Sequence, residues 1–331
     1  MKVLVVGASG FIGTPLVEAL LERGDEVVAI GRNGARLRNR FGERATCVEW
    51  DGLSGPPPAE ALAGVDGVIN LAGDPVDKGR WFKRKKQRIL ESRVQTTRAL
   101  VEAMTTADPR PGVLVNGSAI GIYGDRKHLN LTENSPADRN DFLAGVCLAW
   151  EAEAVKARET GIRVAIVRTG VVLGKKGGAY PKMSRPFRFM LGGRIGLGKG
   201  WMGWIHIDDI VGIFLHCLDN ANARLVYNGV SPNPVPNEEF TATLASVLRV
   251  PAVAWVPPIA LRMLYGEFAN VITASAKVHP LRTLAAGYEY KFPELRAALE
   301  NLEAKRPVID EDDEPPTEPT EPAEEVVDAE T

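Results

Sequence analysis

The segment Gly7-Ala8-Ser9-Gly10-Phe11-Ile12-Gly13 lies between an apolar run at 3–6 and an amphipathic stretch. Glycines at that spacing remove the Cβ atoms that would hold a phosphate away from the backbone. A helix opening there aims unpaired N–H groups and the positive end of its dipole at the same point. Strand, glycine turn and helix together predict a dinucleotide pyrophosphate on Gly7, Ser9, Gly10, Phe11, Ile12 and Gly13.

Which dinucleotide depends on the next apolar run, which ends Ala29-Ile30-Gly31-Arg32-Asn33. An acid at this point takes the ribose hydroxyls, whereas the planar fork of Arg32 suits a 2′-phosphate, so NADP(H) is favoured over NAD(H). Asp51, before Gly52, is placed either to meet the adenine amino group or to cap its own turn. Leu71-Ala72-Gly73 closes the fourth run, where small residues leave room for the nicotinamide ribose.

Positioning these residues requires a sheet. Apolar runs at 3–6, 27–30, 46–50, 68–71, 113–116 and 164–167 alternate with helix-length segments, the pattern of a parallel sheet covered on both faces. One such segment carries Leu90, Val94, Thr97, Val101 and Met104 at helical spacing. The expected class is α/β, a Rossmann-type doubly wound sheet with a smaller C-terminal lobe. Residues 1–170 form the NADP-binding domain, with parts of 205–230 packing back on it. Residues 171–304 form a substrate-side lobe with a small module from about 253, and 305–331 form a disordered acidic tail.

Charge separates that tail from the body. Residues 307–331 hold eleven acids and no Lys or Arg, leaving 40 basic against 31 acidic residues elsewhere, a net of about +9. The cluster Lys83-Arg84-Lys85-Lys86 reads as a solvated helix face, and no nucleic-acid module accompanies it. Three scattered cysteines make neither a disulfide framework nor a zinc pattern, so no metal is expected. With no signal peptide and no membrane span in the pattern, a cytoplasmic location, a small-molecule substrate and no membrane partner are expected, and a homodimer is left open.

The chain resembles the extended short-chain dehydrogenase/reductase superfamily, and within it the atypical epimerase family of NADP-binding proteins related to nucleoside-diphosphate-sugar epimerases. The resemblance runs in order from the glycine turn through Asn70-Leu71-Ala72-Gly73, Glu91-Ser92-Arg93 and Ile122-Tyr123-Gly124-Asp125. It continues through Trp150-Glu151, Arg168-Thr169-Gly170 and Trp204-Ile205-His206-Ile207-Asp208-Asp209. It implies that Gly31-Arg32, Leu71-Ala72, Arg93 and Val172 contact NADP(H). Arg93 should then lie on phosphate or in solvent, since its helix is apolar on the other face.

The chemistry departs from the resemblance. Such reductases exchange a proton through a Tyr-x-x-x-Lys pair on a helix, and the matching helix here reads Cys147-Leu148-Ala149-Trp150-Glu151. Tyr123 and Lys127 have the spacing but follow a strand directly and include Gly124, which argues against one helical face. Ser118 falls beside the family serine, although alignment through Tyr123 and Gly124 puts Ala119 there. Tyr123, Ser118 and His206 are the candidate proton handlers; Asp208 is the expected cap of the helix after His206, and Cys147 is expected to pack inertly. Arg194 and Lys199, in a loop with five glycines, either meet an anionic substrate or sit on an exposed connector. The expected function is an NADP(H)-dependent oxidoreductase or epimerase-like enzyme acting on a small polar substrate, nucleotide sugars included; the alternative is a non-catalytic NADP-binding redox sensor.

Overall fold

Strands made of unbroken Val, Ile and Leu must be covered on both sides, and these are. The computed structural model describes residues 1–304 and contains one seven-stranded parallel sheet. Its strands are β1 (Lys2–Val6), β2 (Glu26–Gly31), β3 (Thr46–Glu49), β4 (Gly67–Asn70), β5 (Val113–Ala119), β6 (Arg163–Thr169) and β7 (Val226–Gly229). They run in the order β7-β6-β5-β4-β1-β2-β3. The order reverses between β1 and β4, where Val6 pairs with Ile30 on one side and Asn70 on the other. Beyond the carboxyl ends of these strands lies the crevice where doubly wound sheets bind ligands.

Helices α1 (Gly13–Glu22) and α2 (Gly34–Phe41) cover one face, and α3 (Lys83–Thr106) and α4 (Phe142–Val155) cover the other. On the first face Leu16, Leu20 and Phe41 pack against Val3 and Val5; on the second Leu100 and Met104 pack against Leu4 and Leu114. Each such side chain contributes about 1.5–3 kcal/mol by leaving water. The buried stripe of α3 is Ile89, Thr97, Leu100, Val101 and Met104, whereas Leu90 and Val94 are only half-buried. The buried face is thus rotated from the expected stripe, and it includes Lys85 and Thr96.

The sheet takes its last elements from late in the chain. Helix α5 (Ile207–Asp219) returns to the α1 face with Ile210, Ile213 and Phe214 in that core, and β7 pairs with β6 from Val226 to Gly229. Between them, strand Val171–Gly174 pairs in parallel with Trp204–His206. A second core joins helices Asn237–Leu248 and Leu295–Glu303 through Phe240, Leu244 and Leu299. Residues near 263–268 reach back to the main domain: Lys86 pairs with Glu267 at 2.6 Å, Arg80 donates to the Met263 carbonyl at 2.6 Å, and the Trp81 ring lies 5.9 Å from that of Phe268. Among the described residues no helix is long and apolar enough to cross a membrane. The acidic tail expected from 305 onward lies outside the described residues.

Candidate functional site

At the carboxyl end of β1 the chain turns through Gly7, whose φ is +84° and whose missing Cβ would stand 3.0 Å from the Leu71 carbonyl carbon. Gly10 N–H donates to the Gly7 carbonyl at 2.9 Å, and a Cβ on Gly13 would fall 2.2 Å from that same oxygen. A side chain at Gly7 or Gly13 would collide with this backbone, so the two glycines let the turn close tightly against Leu71 and bring the N-terminus of α1 to the crevice. The cradle therefore fits a dinucleotide pyrophosphate. Ser9 lies beside it, with its hydroxyl 3.5 Å from where a Gly31 Cβ would be. The Phe11 ring is clasped by Gly174, Gly177 and Gly178, which ties the turn to the strand bearing Val172.

Arg32 is exposed at the end of β2, next to Asn33, whose side chain caps α2 by accepting from Arg36 N–H at 2.8 Å. Asp51 takes the turn-capping alternative: Oδ1 accepts from the N–H groups of Leu53 and Ser54 at 2.8 and 2.9 Å, and Oδ2 from the Ser54 hydroxyl at 2.6 Å. Those bonds, the Ser54 hydroxyl first, hold its carboxyl below the usual range.

Past β4, Asn70 organises the crevice floor. Its Oδ1 accepts from Ala72 N–H at 3.1 Å, and its Nδ2 donates to Thr97 and Asn116 at 2.9 and 2.8 Å. Gly73 is the contact surface for Arg93, since a Cβ there would sit 2.7 Å from the guanidinium carbon. Arg93 is not in solvent. It donates to the carbonyls of Asp74 and Ile89, stands 5.2 Å from the Trp150 ring, and burial pulls its guanidinium down from the ordinary value. Among the described residues no carboxylate is in ion-pair contact with it, so a half-buried cation at the crevice is left for an anionic or oxygen-rich ligand. The basic run beside it is likewise not simply solvated: Lys85 is buried, pairs with Asp74 and donates to the Pro75 carbonyl at 2.6 Å, pinning the loop after β4.

The positions matching the missing relay are occupied by a closed network. Glu151 accepts from the Ser118 hydroxyl at 2.7 Å and from Arg168 Nε and Nη2, both at 2.8 Å. Arg168 Nη1 donates to the Tyr123 hydroxyl at 3.0 Å, which in turn donates to Asn228 Oδ1 at 2.8 Å. Burial pulls Arg168 down, and the bonds and charge of Glu151 more than offset it, leaving the guanidinium firmly protonated. Burial pushes the Tyr123 phenol up. The Cys147 thiol faces the Ala119 carbonyl at 3.7 Å, and burial, reinforced by Glu151, pushes it up to about 11. At neutral pH Cys147 is a thiol, as expected for inert packing.

The three proton candidates do not converge. Ser118 and Tyr123 meet around Arg168, but His206 is elsewhere: its ring is 1% exposed, 4.1 Å from the Phe292 ring, and its Nδ1 accepts from Asp208 N–H at 3.1 Å. His206 itself caps α5, and Asp208 lies inside the first turn. Burial holds the imidazole below its ordinary value. Arg168, Asn228 and Lys85 were not singled out as site residues. The available signal for Arg168 was a cation at the end of the apolar β6, which demands a buried anion.

A fold and crevice of this kind define a dinucleotide-binding α/β protein, and comparison with known proteins places it more narrowly. The family described as "NAD dependent epimerase/dehydratase family" matches residues 3–228, and "Domain of unknown function (DUF1731)" matches 256–302. Epimerase family protein SDR39U1 of Homo sapiens is 37% identical over 307 residues, covering 92% of this chain and 100% of that protein. The chloroplastic SDR39U1 homolog of Arabidopsis thaliana is 38% identical over 304 residues, covering 90% and 86%. The crystal structure of human SDR39U1 with NADPH superposes with a TM-score of 0.81 at 36% identity, covering 91% of this chain and 99% of that one. The chain belongs to the NAD dependent epimerase/dehydratase family.

Proposed function

We propose that the protein is an NADP(H)-dependent oxidoreductase of the extended short-chain type acting on a small polar alcohol or carbonyl substrate. The observation that carries the reading is the glycine turn before α1, where Gly7 and Gly13 let the backbone close against Leu71 and the Gly7 oxygen, with Arg93 half-buried beside the crevice and in no ion pair among the described residues. The NADPH present in the human relative's structure supports the choice of cofactor, as does Arg32. The glycine turn and the N-terminus of α1 hold the pyrophosphate, Arg32 the 2′-phosphate, and Leu71, Ala72 and Arg93 the nicotinamide half. When bound, the nicotinamide supplies or accepts a hydride. Ser118 gives its one proton to Glu151, so its oxygen is left to accept, and it orients a substrate hydroxyl rather than a carbonyl. The nucleoside-diphosphate sugar epimerase of Corynebacterium glutamicum, 30% identical with a TM-score of 0.73, makes nucleotide-linked sugars the first substrates to try.

The test is a turnover screen of the purified protein with NADP+ and NADPH against alcohols, carbonyls and nucleotide sugars, run beside direct cofactor binding. Turnover with at least one polar substrate is expected. Tight NADPH binding without turnover across the panel would overturn the enzyme reading. The locked positions of Cys147 and Glu151 then favour a second one, a non-catalytic protein whose affinity for a partner follows the redox state of its cofactor.

A further inference from the structure

Two segments of the later part of the chain carry an unusual composition. Residues 180–200 and 249–266 contain seven Lys or Arg and no Asp or Glu. The fold brings them together: strands Gly193–Ile195 and Ala254–Val256 pair in parallel, with Arg194 opposite Trp255. Trp255 Nε1 donates to the Gly196 carbonyl at 2.8 Å, and Pro258 lies against Gly196.

This joined surface is strongly apolar. Phe189, Met190 and Leu191 approach one end of the strand pair and are 65–69% exposed, with Val253 at the same end 81% exposed. Beyond the other end, helix Pro258–Tyr265 buries none of its residues and leaves Ile259, Met263 and Leu264 63–72% exposed. With Trp255 at 60% and Leu197 at 75%, nine large apolar side chains stand in water. Exposed apolar side chains gathered on one surface are the usual mark of an interaction site.

The cations decide what covers this face. Lys182 pairs with Asp77, and Arg188 with Glu303 at 2.6 Å. Arg185, Arg194, Lys199, Arg249 and Arg262 are exposed and enter no ion pair among the described residues. A second copy would set like charges against each other. Residues 307–331 carry the opposite charge but only four Val or Ile residues, too few to cover nine large side chains. Exposed Glu238 packs against Gly198 and Glu267 follows the second segment, but the five unpaired cations outnumber them, and an apolar centre bearing a Trp with a cationic excess matches the interface of an anionic bilayer, where aromatic and aliphatic groups enter the acyl boundary and cations meet the headgroups.

We propose that this face docks the protein peripherally onto an anionic lipid surface. The inference is independent of the cofactor and goes beyond the proposed oxidoreductase reading. It is tested by cosedimentation of the full chain with phosphatidylcholine vesicles and with vesicles containing phosphatidylglycerol, at low and high salt. Binding to the anionic vesicles only, weakened by salt, is expected. Arg194→Gln with Arg262→Gln should weaken that binding by about 25-fold, at about 1 kcal/mol per cation. Trp255→Asp with Met263→Asp should abolish it, with NADPH binding retained as the check on folding. Failure of the wild type to bind anionic vesicles, or binding unchanged in both variants, overturns the proposal. So does a wild-type dimer that Trp255→Asp dissociates, which assigns the face to a second copy. Carbodiimide cross-links from Lys199 to acids of 307–331, without vesicle binding, overturn it in favour of that segment.

Discussion

Arg32 and Arg93 are both arginines at the crevice, yet they are tested differently. Arg32 is exposed, so Arg32→Ala should fold normally and weaken NADPH by about 10- to 100-fold while leaving NADH nearly unchanged, as a charged hydrogen bond worth about 1.5–3 kcal/mol requires. Fluorescence titration of the two cofactors checks this. Gly13→Ala places a methyl 2.2 Å from the Gly7 oxygen, so cofactor binding should be lost outright in the same assay. The Glu151–Arg168 pair, about 10% exposed on both sides, is a stability test. Glu151→Ala leaves a buried cation and should cost about 3–5 kcal/mol in urea unfolding, and Glu151→Leu with Arg168→Met should recover most of it. At this scale the glycine turn was legible because a turn and its neighbours are local. The packing of Arg93 was not, because Gly73, which admits it, lies twenty residues away on another element.

Helix α5 shows how an element can be recognised while its cap is misread. Asp208 has the residue type of a cap, yet the acceptor for the first turn is His206 Nδ1 at 3.1 Å. Which residue caps depends on where strand Trp204–His206 ends, and its pairing with Val171–Gly174 sets that limit. Burial lowers the His206 pKa, so the unfolded chain takes up the proton first as pH falls. The neutral ring's contribution is complete above its ordinary value of 6.5 and is lost as pH drops through the lowered folded value. Melting temperatures of the wild type should therefore fall between pH 7 and pH 5 more steeply than those of His206→Asn, which keeps a capping acceptor but does not titrate. Helix α3 makes the same point for charge: four consecutive cations suggested one solvated face, but 3.6 residues per turn send Lys85 inward to Asp74 while its neighbours point elsewhere.

For the whole molecule, a cofactor that binds only the folded state must stabilise it. NADPH at about 100 times its dissociation constant should add about 2.7 kcal/mol, raising the melting temperature by about 4 °C, with less from NADH at the same concentration. Scanning calorimetry with each cofactor measures the difference. The architecture was largely readable in advance, because alternating apolar runs and helix-length segments are properties of consecutive residues, and so were the phosphate turn and the preference for NADP(H). What remained for the tertiary structure were pairings between distant residues. β7 joins β6 across some sixty residues, Glu151 meets Arg168 and Ser118 from three different elements, and 189–197 meets 253–264 in one cationic apolar face. Local pattern specifies what each segment becomes. Which buried charges find partners, and which apolar side chains find no cover, is settled only when segments far apart in the chain are packed together.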